Sequence, residues 1–217
     1  MGKILPVTSN QGDAIRDMAN DKGVGRAKWQ KAHDDGRFSR FLDSLKTDEA
    51  TPSQLHTPQH QYEFRIKKDG ADAKTLVART RQTFFVSNYA EAMTNNTNDF
   101  VGGPKEDALI RVFTCESLGV TGWAETEFFG KKGFEHIKKF GLVPCISDDA
   151  FAIRVEHTEQ KLGEWIRVAH SPISAYGYRN VFYVGLNSGN GRYVDGHDLV
   201  SHCKLSADDL VAARVAS

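Results

Sequence analysis

The stretch from Lys131 to Asp195 constrains the fold more than any other part of the chain. It opens with KKGFEHIKKF, where Phe134, Ile137 and Phe140 fall on one face of a short amphipathic helix. Gly141 stops that helix, and Gly141-Leu142 has the form of a left-handed cap with its hydrophobic contact. Three apolar segments follow, AFAIRVEH, EWIRVAHSPI and RNVFYVGLN, each read as a strand. In the first, Phe151, Ile153 and Val155 alternate with Ala152, Arg154 and Glu156, the pattern of an outer antiparallel strand with one wet face. The third is apolar throughout and is expected to be the most central strand. Asn190-Gly191 is the favoured pair for a two-residue type I′ hairpin turn, with GRYVDG as the returning strand.

The flanking segments extend this plan. KEDALIRVFTCESLG reads as a helix with Glu106 and Asp107 in its first turn and Gly119 at its end. Gly130 and Gly133 weaken a continuous helix over AETEFFGKKGFEHIKKF, which is expected to form two short helices or one helix beginning near Gly133. ADDLVAARV, preceded by Ser206 with Asp209 three residues later, reads as a C-terminal helix with a capping box. Upstream, YEFRIKK alternates Tyr62, Phe64 and Ile66 against charged residues and is a half-buried strand. A turn and a short helix over DGADAKTLVARTRQ, a second strand at TFFVS and a polar, Asn-rich stretch up to Gly102-Gly103-Pro104 come next. Near the N-terminus, Phe38, Phe41, Leu42 and Leu45 form a helical stripe, and Trp29 lies on a preceding helix. The expected organisation is an N-terminal helical arm or hairpin over 1–46, a Pro- and Thr-containing linker over 47–61, and an α+β domain over 62–217 with its core at 105–200. The expected fold class is α+β, an antiparallel β-meander sheet packed by helices.

Composition narrows the function classes. Lys+Arg and Asp+Glu number 28 each, so no global field points to nucleic acid or an anionic membrane. No apolar run is long enough to span a bilayer. The segment MGKILPVTSNQGD is too short for a signal peptide, and Pro6 stands where a myristoylation signal requires Ser or Thr. Three widely spaced cysteines, Cys115, Cys145 and Cys203, suit reduced thiols in a cytoplasm. No nucleotide-binding, zinc-protease or nucleophile-elbow motif occurs, and no cofactor or bound metal is expected.

Several of these elements carry a resemblance. Phe140-Gly141-Leu142, Cys145, Phe151 to Val155, Gly163-Glu164-Trp165-Ile166, Pro172-Ile173 and Val181-Phe182-Tyr183-Val184 stand in an order that resembles a family of uncharacterised bacterial proteins, over residues of about 107–194. The resemblance implies fold boundaries. It implies no activity and no site residues, because none is assigned to the family.

One constellation is a chemical candidate. Asp195, His197, Asp198, His202 and Cys203 follow the last apolar segment, and His170 ends an earlier one. Carboxylates, imidazoles and a thiol at this spacing suit a divalent metal, or a base with an orienting acid; D-G-H-D is equally ordinary turn chemistry. His56 and His60 have metal-like spacing, but Pro58 between them opposes the helix that would join them. Cys145 lacks a histidine at motif spacing and reads as a small buried hydrophobe. Arg79, Arg81 and the lysines of Lys131–Lys139 are candidates for phosphate contacts. Trp165, Tyr176, Tyr178 and Tyr183, aromatics near strand ends and loops, suit a protein interface. The reading taken is a non-enzymatic, protein-binding module. The alternatives are a metal-dependent hydrolase or nuclease using Asp195–Cys203, and a nucleic-acid binder using Lys131–Lys139.

Overall fold

The computed structural model describes residues 57–216, together with Lys31 and Asp34, which are helical. The N-terminal arm, the helical hairpin and the linker up to residue 56 lie outside the described residues. Thr57–Ser217 is one unit and Met1–His56 another, and only the former is described here.

Nine strands and five helices make up this unit. The strands are β1 (His60–Asp69), β2 (Phe85–Val86), β3 (Lys105–Thr114), β4 (Leu142–Val143), β5 (Trp165–Val168), β6 (Ile173–Ala175), β7 (Tyr178–Asn187), β8 (Gly191–Asp198) and β9 (Leu210–Val215). The helices are α1 (Ala73–Arg81), α2 (Asn88–Asn95), α3 (Glu125–Phe128), α4 (Lys131–Lys138) and α5 (Asp149–Glu156). All strands join one sheet in the order β1-β3-β9-β5-β7-β8-β2, with β4 on β9 and β6 on β7. The fold is therefore α+β, but the sheet is mixed and not a pure antiparallel meander. β5 runs parallel to β9, and β2 runs parallel to β8.

Side-chain alternation sends residues to two layers. On one face Ile110, Ile166, Phe182, Val184, Val194 and Ala212 pack against Val77 of α1, Met93 of α2 and Phe151 of α5. On the other, Phe113, Val181, Val211 and Ala213 pack against Phe128 of α3 and Ile137 of α4. Helix starts are set by short polar side chains: Asp72 accepts the Thr75 N–H at 2.9 Å, and Ser87 accepts the Ala90 N–H at 3.0 Å. Such caps contribute about 1 kcal/mol each. The Ser87 cap turns the Asn-rich stretch after TFFVS into α2.

Four local expectations are corrected. KEDALIRVFT is β3, not a helix, because its two faces are both buried: Ile110 and Val112 enter one layer and Phe113 the other. LVAARV is β9, for the same reason, and not a C-terminal helix. It lies between β3 and β5 in the interior of the sheet, beside the middle strand β5, whose other neighbour is β7, the RNVFYVGLN strand. AFAIRVE belongs to helix α5: Ala150, Phe151, Ile153 and Arg154 are buried while Val155 is half exposed, a helical and not an alternating pattern. Arg154 is buried completely and donates to Gln160 Oε1 at 2.6 Å, the Gly185 carbonyl at 3.0 Å and the His157 carbonyl at 2.7 Å. The β7–β8 turn has three residues between the paired Asn187 and Gly191, and only Gly191 has positive φ (65°). That is a three-residue hairpin closed by a left-handed glycine, not the two-residue type I′ turn. A two-residue turn of the primed type does occur between β6 and β7, at Tyr176 (φ 51°) and Gly177 (φ 84°).

Candidate functional site

The helices of the described residues do not cover the second face of the sheet entirely. α3 and α4 shield its β3–β9 half, and the β5–β7–β8 half carries a cleft of 720 Å³. Register builds its walls. Trp165, Gly185 and Tyr193 stand in one cross-strand row, and Arg167, Tyr183 and Asp195 in the next. Gly185 leaves the space that the Tyr193 ring fills: a Cβ there would lie 2.2 Å from the ring. Trp165 and Tyr183 meet edge to face at 5.6 Å, as do Tyr183 and Tyr193 at 5.6 Å. The cleft then wraps round the β8 edge to Ser87 and Tyr89 at the start of α2.

Of the five clustered polar residues expected from sequence, Asp195, His197 and Asp198 line this cleft, and they sit on the strand β8 and not on a loop. His202 and Cys203 follow in the next turn and do not line it. Cys203 instead offers its carbonyl to the Glu125 N–H at 3.1 Å, framing the start of α3. His170 is elsewhere, buried where β5 gives way to β6. Among the described residues, no group of three or more His, Cys, Asp or Glu side chains is arranged to hold a metal ion.

The two aspartates are held by neutral donors. Asp195 accepts from Ser87 Oγ, from Tyr183 Oη at 3.1 Å and from the Gly196 N–H at 2.7 Å. Asp198 accepts from Tyr89 Oη. Burial, together with the neighbouring carboxylate charge, raises the phenol pKa of both Tyr183 and Tyr89, so both stay protonated donors. Among the described residues, neither aspartate is ion-paired with a lysine or arginine. His197 behaves differently: its Nε2 lies 2.9 Å from Glu125 Oε1. Glu125 is buried and also receives Arg167 at 3.1 Å. Burial pushes the Glu125 carboxyl up, but the His197 hydrogen bond and the adjacent positive charges outweigh it and leave it below its ordinary value. Arg167 continues to Asp209 at 3.0 Å and stacks over Trp165 at 4.1 Å.

Sequence reasoning missed Tyr89, Tyr193, Glu125 and Arg167. Tyr193, Asp195 and His197 carried a readable signal, since residues two apart in a strand share a face.

Several of the other candidates make local contacts. In α4, Lys132 pairs with Glu127 at 3.2 Å and lies 4.4 Å from the Trp123 ring centre, and Lys138 pairs with Glu135 at 2.7 Å. Arg79 and Arg81 pair with Asp69 and Glu91. Cys145 is buried with Sγ 3.7 Å from the Ala212 carbonyl, and burial pushes its thiol well above the ordinary range, against a thiolate nucleophile. A second charged group, Lys68 and Arg214 with Glu106, Asp148 and Asp149, is a closed network linking β1, β3, β9 and the start of α5. No helix of the described residues is long and apolar enough to cross a membrane. No family model, no curated protein and no solved structure matches the chain, so the residues themselves carry any functional reading.

Proposed function

We propose that this chain is a non-enzymatic protein-binding module whose recognition surface is the β5–β7–β8 cleft. One observation carries this reading: among the described residues, the sheet face that is covered by helices over β3 and β9 has no helix over it where Trp165, Tyr183 and Tyr193 stand side by side. Trp165 keeps 37% of its surface exposed. Tyrosine and tryptophan are the side chains enriched at interfaces, since they offer large rigid contact area and a polar handle. The polar groups of the cleft support binding over catalysis. His197 Nε2 is engaged by Glu125, and both aspartates are taken up by hydroxyl donors. Cys115, Cys145 and Cys203 are all free thiols, which supports action in a reducing cytoplasm.

A displayed peptide library panned on the protein tests the proposal. Enriched peptides should bind the wild type and lose binding to a Trp165→Ala/Tyr183→Ala double variant that keeps the wild-type circular dichroism. Absence of enrichment, or peptides that bind the double variant equally well, would refute a recognition role for this cleft.

A further inference from the structure

Resting on that reading, we infer that the cleft selects an arginine side chain presented by an extended segment of the partner protein. The argument is charge complementarity inside an aromatic enclosure. Among the described residues, Asp195 and Asp198 meet hydroxyl groups and one backbone N–H and no lysine or arginine, so their negative charge is solvated by dipoles. Behind them, Glu125 and Asp209 share the single cation Arg167, with His197 on the same carboxylate as Arg167. The cleft is therefore acidic, and its walls are aromatic. Aromatic rings attract a cation over their faces, and carboxylates bind a guanidinium through two parallel hydrogen bonds. A planar guanidinium satisfies both at once, which a compact ammonium does not. Arg167 already shows the two kinds of contact together, with Cζ 4.1 Å from the Trp165 ring centre and its nitrogens on Glu125 and Asp209. The ligand would enter beside β8, whose partner β2 pairs with Tyr193 and Val194 and leaves the strand from Asp195 onwards without a strand partner on that side among the described residues.

The test uses two short capped peptides, Gly-Ser-Arg-Ser-Gly and the same peptide with citrulline, the neutral isostere of arginine. Titration into the full-length protein is followed by the Trp165 indole and the Asp195 and Gly196 amide NMR signals. The arginine peptide should bind at least about tenfold more tightly than the citrulline peptide, the contribution of one charge-assisted contact. Asp198→Asn, at the rim, should reduce that preference by about threefold or more without moving signals of the β3–β9 half. Equal affinity for the two peptides overturns the arginine inference and leaves the protein-binding reading standing. Absence of binding by both, while library-selected peptides still bind through Trp165, overturns it in the same way. Failure of the library selection as well removes the underlying reading.

Discussion

His170 fills the break between β5 and β6 only as a neutral ring. Its Nε2 accepts the Phe182 N–H at 2.8 Å, and its Nδ1, 2.8 Å from the Ser171 carbonyl, carries the proton. Burial lowers its pKa from the usual 6.5 to about 4. The unfolded chain therefore takes up a proton as pH falls through 6.5, whereas the folded chain resists until about pH 4, so stability declines across that window. The full difference is on the order of 3 kcal/mol below both values. His157, stacked on Phe64 at 4.9 Å, is lowered to about 4 as well, by burial and then by Arg154, and acts in the same direction. In His170→Gln the amide oxygen replaces the acceptor and cannot titrate. Urea midpoints measured between pH 7 and 4.5 should therefore fall less steeply than in the wild type, by about 2 kcal/mol over the range. Parallel slopes would show that His170 does not carry the effect. The sequence offered this histidine only as a possible companion to Asp195, because burial of an imidazole depends on strands that a single residue does not announce.

At the scale of elements, legibility followed the number of buried faces. Alternation located β1 and helical spacing located α4, because each has a wet side that leaves a period in the sequence, while the Asn190-Gly191 turn signal located β8. β3 and β9 are buried on both sides and α5 is buried over most of its turns, so their apolar runs suit helix and strand equally. The capping signal at Ser206 and Asp209 misled for a related reason. Asp209 does accept the Ser206 N–H, at 2.8 Å, but in a turn that leads into β9. The cleft was half legible: Asp195, His197, Trp165 and Tyr183 stood out by type, but Glu125 and Arg167 reach it only through tertiary packing. The interior place of β9 has a direct consequence. Ala212 lies between Val112 of β3 and Val168 of β5, and its carbonyl accepts the Ala169 N–H at 3.0 Å. Proline at 212 removes a ladder donor from a strand with neighbours on both sides and should cost about 3 kcal/mol or more. Loss of the whole cooperative unfolding transition, or its shift to much lower urea, is expected; an unchanged midpoint would mean that β9 is peripheral.

For the molecule as a whole, one buried network ties together segments that are distant in sequence. Lys68 of β1 lies 2.9 Å from Asp148, 3.2 Å from Asp149 and 3.3 Å from Glu106. Arg214 of β9 holds Asp149 at 2.6 Å and Glu106 at 2.7 Å. Two cations thus face three carboxylates, and backbone N–H groups of Gly103 and Ile146 supply further donors at 2.8 and 2.9 Å. Removing one cation from such a group leaves carboxylates buried without compensation, which costs about 3–5 kcal/mol. Lys68→Met keeps the apolar stem and deletes the charge, so that loss should appear at pH 7. The carboxyl of Glu106 is held low by the Arg214 hydrogen bond and further by Lys68. A carboxylate lowered in the folded state stabilises above its unfolded pKa and loses that contribution as pH falls through its folded value. The wild type therefore surrenders the advantage of Lys68 only once pH falls below the ordinary glutamate value of 4.5, and the gap between wild type and variant should hold above that value and narrow below it. Arg79→Met, which breaks the exposed pair with Asp69, is the comparison: with both side chains about half in water, its loss should move the urea midpoint little at any pH. A Lys68→Met deficit no larger than that of Arg79→Met, or one that stays constant with pH, would mean that the network is not what joins β1, β3, β9 and α5.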